Sequence, residues 1–129
     1  MKICITSAGE NLSSPVNPRF GRCPYLLVVD TETKNVEAIA NTGVQAARGA
    51  GIAAAQTVAG AGCGVVISGN VGPNAFYALS QAGIKVFTGA SGKTGEEALR
   101  AYNDGELQEA SVETAHGGGF GRGGGRGGR

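Results

Sequence analysis

The strongest constraint on this chain is how its apolar residues are grouped. They fall into five short runs, at 2–7, Tyr25–Asp30, Val36–Ala40, 64–68 and 84–87. Each run is shorter than a typical helix and rich in β-branched or aromatic residues, so each reads as a strand. The run at Val36–Ala40 alternates with polar residues and reads as a half-exposed edge. The polar stretch 31–35 between the second and third runs predicts a hairpin turn.

Helical signals come only after the third strand. Residues 49–61 are Ala- and Gly-rich with Ile52 and Val58, and predict a helix whose small residues permit close packing. Pro73 suits a first helical position, and the helix it opens runs to about Gln81 with Gly83 beyond its end. Thr94 with Glu97 predicts a capping box for a third helix ending near Asn103. Leu107 and Val112 can pack one further short segment. The order βββαβαβα makes the second strand antiparallel to the first, and right-handed crossovers add the later strands in parallel. The expected architecture is a single α/β domain of the ribonuclease H-like kind. It has a mixed five-stranded sheet of order 3-2-1-4-5, with helices on both faces.

Composition sets the boundaries. The apolar share, 41%, supports a packed core. Of 24 glycines in 129 residues, nine fall within the last thirteen, together with Phe120, Arg122, Arg126 and Arg129. The folded domain is therefore expected over 1–114, and 115–129 as a disordered Gly/Arg-rich tail with too little apolar surface to offset its ordering entropy. The net charge of +1 also divides there: residues 1–116 hold eight basic against ten acidic residues, net −2. A weakly acidic domain is a poor nucleic-acid binder. Three widely spaced cysteines (Cys4, Cys23 and Cys63) without a CxxC argue against a disulfide framework or a closed zinc site. The single histidine, His116, removes most His-based catalysis. No apolar run approaches the ~20 residues of a membrane helix, the start lacks a signal-peptide layout, and a cytoplasmic location is expected.

In this topology the first, third, fourth and fifth strands end at one rim. Loops 8–23, 41–50, 69–73 and 89–94 meet there, and three of them lead into helix N-termini. Four of the domain's eight basic residues, Arg19, Arg22, Arg48 and Lys93, lie on these loops, against one acid, Glu10. Unpaired helix N–H groups, basic side chains and glycines that admit close backbone approach predict an anion site in this crevice. Glycines also serve the turns of any α/β domain. Gly89–Thr94 has the look of a phosphate-binding loop but is two residues short, with Phe87 where its leading glycine belongs. No acid stands on the first or fourth strand, which excludes a two-metal nuclease.

Four segments carry a resemblance: Phe20-Gly21-Arg22-Cys23-Pro24-Tyr25, Arg48-Gly49-Ala50-Gly51-Ile52, Gly72-Pro73-Asn74-Ala75-Phe76 and Gly89-Ala90-Ser91-Gly92. In order and spacing they resemble the dinitrogenase iron–molybdenum cofactor biosynthesis family, the group of NifX, NafY, the NifB C-terminal domain and the orange protein. The resemblance covers residues 1–110. It implies a ribonuclease H-like fold and a small non-catalytic carrier or scaffold for an anionic metal–sulfur cluster (Fe–Mo cofactor-like, Fe–S or Mo/Cu sulfide), with cluster donor or acceptor proteins as partners. Arg48 stands where some relatives have His, so binding by basic and backbone donors is expected.

The candidate cluster-binding residues are Arg19, Arg22, Cys23, Arg48, Gly49, Asn70, Gly72, Asn74, Ser91, Gly92 and Lys93. Cys23, beside Arg22, is the candidate metal ligand, since a neighbouring cation favours thiolate and soft sulfur suits Fe, Cu or Mo; alternatively it fills space before Pro24. Arg22 could instead pair with Asp30. Asn70 could serve only a left-handed turn, and Asn74 only a helix start. Cys4 reads as core, and Cys63 as remote from the rim. A rival reading is a single-stranded nucleic-acid-associated protein acting through the RGG-like tail.

Deleting residues 117–129 changes the net charge from +1 to −2. It should leave the melting temperature unchanged and reduce the log–log salt slope of any single-stranded DNA binding by about three at most. A large loss of thermal stability would place the tail in the core.

Overall fold

Burial on both faces makes β1 (Lys2–Ser7) the centre of the molecule. Ile3 and Ile5 face one side and Cys4 the other, all with no exposed surface. The computed structural model describes residues 1–41 and 50–110. After β1 come β2 (Tyr25–Asp30), β3 (Val36–Ala40), α1 (Ala50–Gly60), β4 (Val65–Ile67), α2 (Pro73–Gln81), β5 (Lys85–Thr88), α3 (Gly95–Asn103) and β6 (Gln108–Glu109).

The sheet order is β3-β2-β1-β4-β5-β6. β2 is antiparallel to β1 and β3, while β4 and β5 are parallel to β1. The expected five-stranded sheet is thus corrected to six. β6 pairs antiparallel with β5 through Phe87–Glu109 and Thr88–Gln108, and the Ala110 N–H donates to the Val86 carbonyl at 2.8 Å. β6 has no buried residue, so backbone bonding carries it and it leaves no hydropathy signal. Leu107 packs as expected, and Val112 lies outside the described residues.

Helices cover both faces, as the crossovers require. α1 and α2 bury Ala54, Val58 and Leu79 against Cys4, Leu26, Val28, Val66 and Val86. α3 packs Ala98 on the face formed by Ile3, Ile5, Leu27, Val29, Val65 and Ile67. Small residues bring α1 onto α2: a Cβ on Gly51 would stand 2.9 Å from that of Ala75. The capping box forms as the sequence predicts. Thr94 Oγ1 accepts from the Glu97 N–H at 3.2 Å, and the Thr94 N–H donates to Glu97 Oε1 at 2.9 Å. Among the described residues, no helix is long and apolar enough to cross a membrane.

Thr94→Ala should destabilise the domain by about 1 kcal/mol, a fall of a few degrees in melting temperature. Thr94→Ser should retain most of that stability. Equal melting temperatures for all three proteins would show that the cap contributes nothing.

Candidate anion site at the sheet rim

Two hydroxyls at the ends of central strands organise the rim. Thr6 is the penultimate residue of β1 and Ser68 follows β4, and both are wholly buried. Thr6 Oγ1 donates to the Asn17 carbonyl at 2.8 Å and lies 3.0 Å from Ser68 Oγ, itself 3.3 Å from the Asn70 carbonyl. Backbone bonds complete the join: Asn17 N–H to Thr6 O at 3.0 Å, Asn70 N–H to Pro18 O at 2.7 Å and Phe20 N–H to Asn70 O at 3.1 Å. The middle of the 8–23 loop therefore roofs the ends of β1 and β4. A Cβ on Gly69 would come within 2.7 Å of Pro18 Cα and would also collide with Ser91 Oγ, so the roof needs glycine there.

The roof continues into the Phe20–Tyr25 segment. Gly21 has φ +94°, and a Cβ on it would stand 2.8 Å from Gly51 Cα. Glycine is required on both counts. Asn41, buried at the end of the edge strand, donates from Nδ2 to the carbonyls of Gly21 at 3.2 Å and Cys23 at 2.8 Å. The Arg22 N–H donates to Arg19 O at 3.2 Å, closing a turn on which both arginines are exposed. Gly51 links this turn to Ala75 in the first turn of α2.

The start of α2 is open. Its N-cap, Gly72, supplies no side-chain hydrogen bond, Pro73 follows, and Asn70, Gly72 and Asn74 are exposed. Arg19 is bridged to Asn70. Two arginines and the positive end of α2, joined through closely packed small residues, thus share one corner of the rim, which suits an anion.

The remaining candidate residues have different surroundings. The N-terminus of α3 is closed: the N–H groups of Gly95, Glu96 and Glu97 donate to Ser14 O at 3.0 Å, Leu12 O at 2.9 Å and Thr94 Oγ1 at 3.2 Å. Lys93 lies in that seam, half-buried, its carbonyl accepting from the Val16 N–H at 2.8 Å. Ser91 and Gly92 are exposed, and the place a Cβ on Gly69 would take is shared by Ser91 Oγ and Pro18, which puts Ser91 beside the roof. Cys23 is wholly buried beneath the roof, and burial raises its thiol pKa even though backbone groups and the Asn41 amide, 3.8 Å from Sγ, act the other way. The Cys23 thiol thus lies out of solvent contact although Arg22 beside it is exposed. Asp30, weighed as a partner for Arg22, stands at the opposite end of β2, level with Lys2. Among the described residues, no three His, Cys, Asp or Glu side chains come together to hold a metal ion. Arg48, Gly49, His116 and the expected boundary at 114 lie outside the described residues.

Sequence reasoning missed Asn41, Thr6, Ser68 and Gly69. A hydroxyl residue at the end of each of two buried parallel strands (Ile-Thr-Ser and Val-Ile-Ser) was the available signal for two of them.

A mixed α/β domain with a roofed rim and an open N-terminus at α2 is the class that fold and site define. The model of the dinitrogenase iron–molybdenum cofactor family matches residues 1–105, and the chain belongs to that family, among its NifX- and orange-protein-like members. The apo form of the orange protein from Desulfovibrio gigas is similar at 41% identity and a TM-score of 0.83, covering 85% of this chain and 92% of that one. A putative NifB protein from Thermotoga is similar at 41% identity and a TM-score of 0.75, with 84% and 91% covered. An uncharacterized protein of Methanocaldococcus jannaschii is 32% identical over 112 residues, 84% of this chain and 91% of its own.

Asn41→Ala leaves two carbonyls without their donor and should cost about 1–3 kcal/mol. Urea unfolding should show the loss, and the amides of residues 20–23 should exchange faster with solvent. Unchanged exchange there would mean that the turn is held by other contacts.

Proposed function

We propose that this protein is a small, non-catalytic carrier or scaffold for an anionic metal–sulfur cluster, with the cluster as its cargo. The observation that carries this reading is the uncapped start of α2 beside the exposed Arg19–Arg22 turn. Sulfide-faced anions accept hydrogen bonds, and this corner offers guanidinium groups, the α2 N-terminus and the side chains of Asn70 and Asn74. Arg48 and Gly49 directly precede α1 in sequence and are counted in the same proposed donor set. Ser91, Gly92 and Lys93 border it from the side of β5. Cys23 supports the turn from below.

The family relationship supports a cargo related to the iron–molybdenum cofactor, and similarity to the orange protein supports the cluster class. Iron–molybdenum, iron–sulfur and molybdenum–copper sulfides share the relevant chemistry, a polarisable anion with sulfur on its surface. Donor and acceptor proteins would load and remove it. The reading includes a ribonuclease H-like fold for the domain, taken as 1–114, and a cytoplasmic setting. A carrier needs no general acid or base at the cargo; it needs fixed donors that release an intact anion.

Tetrathiomolybdate is a suitable probe. Arg22→Ala and Arg19→Ala should each weaken its binding by about ten- to a hundredfold, the loss of a charge-assisted hydrogen bond of about 1.5–3 kcal/mol. Lys85→Ala, at the opposite end of β5, should bind normally. Unchanged affinity in both arginine variants would remove the site from this corner.

A further inference from the structure

The helices on the two faces of the sheet differ in charge. From Gly49 to Ile84, 36 consecutive residues include no Asp, Glu, Lys, Arg or His. That stretch forms α1, β4 and α2, and β4 is buried, so the two helices present most of what it leaves to solvent. On the other face, the nine residues of α3 include Glu96, Glu97 and Arg100. α1 and α2 lie side by side with Ala54, Val58, Ala75 and Leu79 turned into the core. Their outer sides carry two exposed ridges at helical spacing, Ile52, Gln56 and Ala59 on α1 and Asn74, Tyr77 and Gln81 on α2. Ile52 is 41% exposed and Tyr77 66%. Close packing of α1 on α2 accounts for the small residues that face inward. It does not account for an outer side without charge, since a helix apolar around most of its circumference is normally covered. Depletion of charge around an exposed Tyr is also the composition of an interface core.

We propose that the outer side of α1 and α2 is a self-association surface, on which a second copy of this chain docks its own α1–α2 face. The chemistry of the face selects this partner. A membrane surface or a nucleic acid is held by Lys and Arg, and the two helices carry neither. A strongly charged protein finds no opposite charge to pair with. Residues 1–116 carry a net charge of −2, so two copies repel each other overall. Across this face no charge meets a like charge, and each copy offers the other an uncharged surface equal to its own. A two-fold contact takes Ile52 and Tyr77 out of water on both copies at once. The face is small: α1 is about 16 Å long, and packed helices lie about 8–10 Å apart. The contact therefore belongs with weak interfaces, below about 1,200 Å² in total, and the dimer is reversible.

Sedimentation velocity on the reduced full-length protein, from about 10 µM to about 1 mM, tests this. No anion is added, so the result is independent of the cargo reading. The sedimentation coefficient should rise with concentration from the monomer toward the dimer value. Ile52→Glu and Tyr77→Glu should each raise the dissociation constant more than about tenfold, because each sets a carboxylate against apolar surface and repeats it across the two-fold axis. Both positions are exposed, so both variants should keep the wild-type circular dichroism spectrum. Arg100→Glu on α3 and deletion of residues 117–129 should leave association unchanged. On dilution of isotope-labelled wild type, the amide shifts that move should fall on Ile52–Gly60 and Asn74–Gln81. A wild type that stays monomeric, a dimer that survives either Ile52→Glu or Tyr77→Glu, or dilution shifts confined to the β3 edge or to the tail would each overturn the proposal.

Discussion

The rim depends on one join, the docking of the 8–23 loop onto the ends of β1 and β4. The ends of parallel strands leave backbone groups that must find partners, and a buried polar group without one costs roughly 1–3 kcal/mol. Here the chain supplies those partners itself, through Asn17, Pro18 and Phe20, with Thr6 and Ser68 bonded beneath. The crevice that open α/β sheets commonly leave at this place is thereby filled over β1 and β4. What stays open is displaced sideways, to the corner where the Arg19–Arg22 turn meets the start of α2.

That displacement gives the glycines of the rim distinct tasks. Gly69 lets the roof lie flat against Pro18, while Gly21 and Gly51 bring the arginine turn onto α1, and Gly51 brings α1 onto Ala75. A side chain at any of these three would separate the elements that define the corner. Positive charge is thus held beside a helix N-terminus by backbone proximity.

The strands were legible because β-branched runs such as Val65-Val66-Ile67 have few other places to go, and α3 because Thr94 and Glu97 form a local code. β6 was not, since its stability lies in backbone bonds to Phe87 and Thr88, which any side chain permits. The closing of α3 was invisible because its acceptors, Leu12 and Ser14, lie far away in sequence. The burial of Cys23 was not legible, for a geometric reason. Adjacent residues in non-helical chain commonly face opposite ways; Arg22 points to solvent and Cys23 into the core, so their nearness in sequence lends the sulfur no exposure.

On the proposed function, anion binding is confined to one corner of the rim. Amide chemical-shift mapping on isotope-labelled protein titrated with tetrathiomolybdate tests it most directly. The largest shifts should fall on Arg19–Cys23, on Gly51 and on Asn70–Ala75, with Gly95–Glu97 little changed because their N–H groups are already bonded within the protein. Shifts centred on Gly95–Glu97, or spread over the far end of the sheet around Lys2 and Gly64, would contradict it.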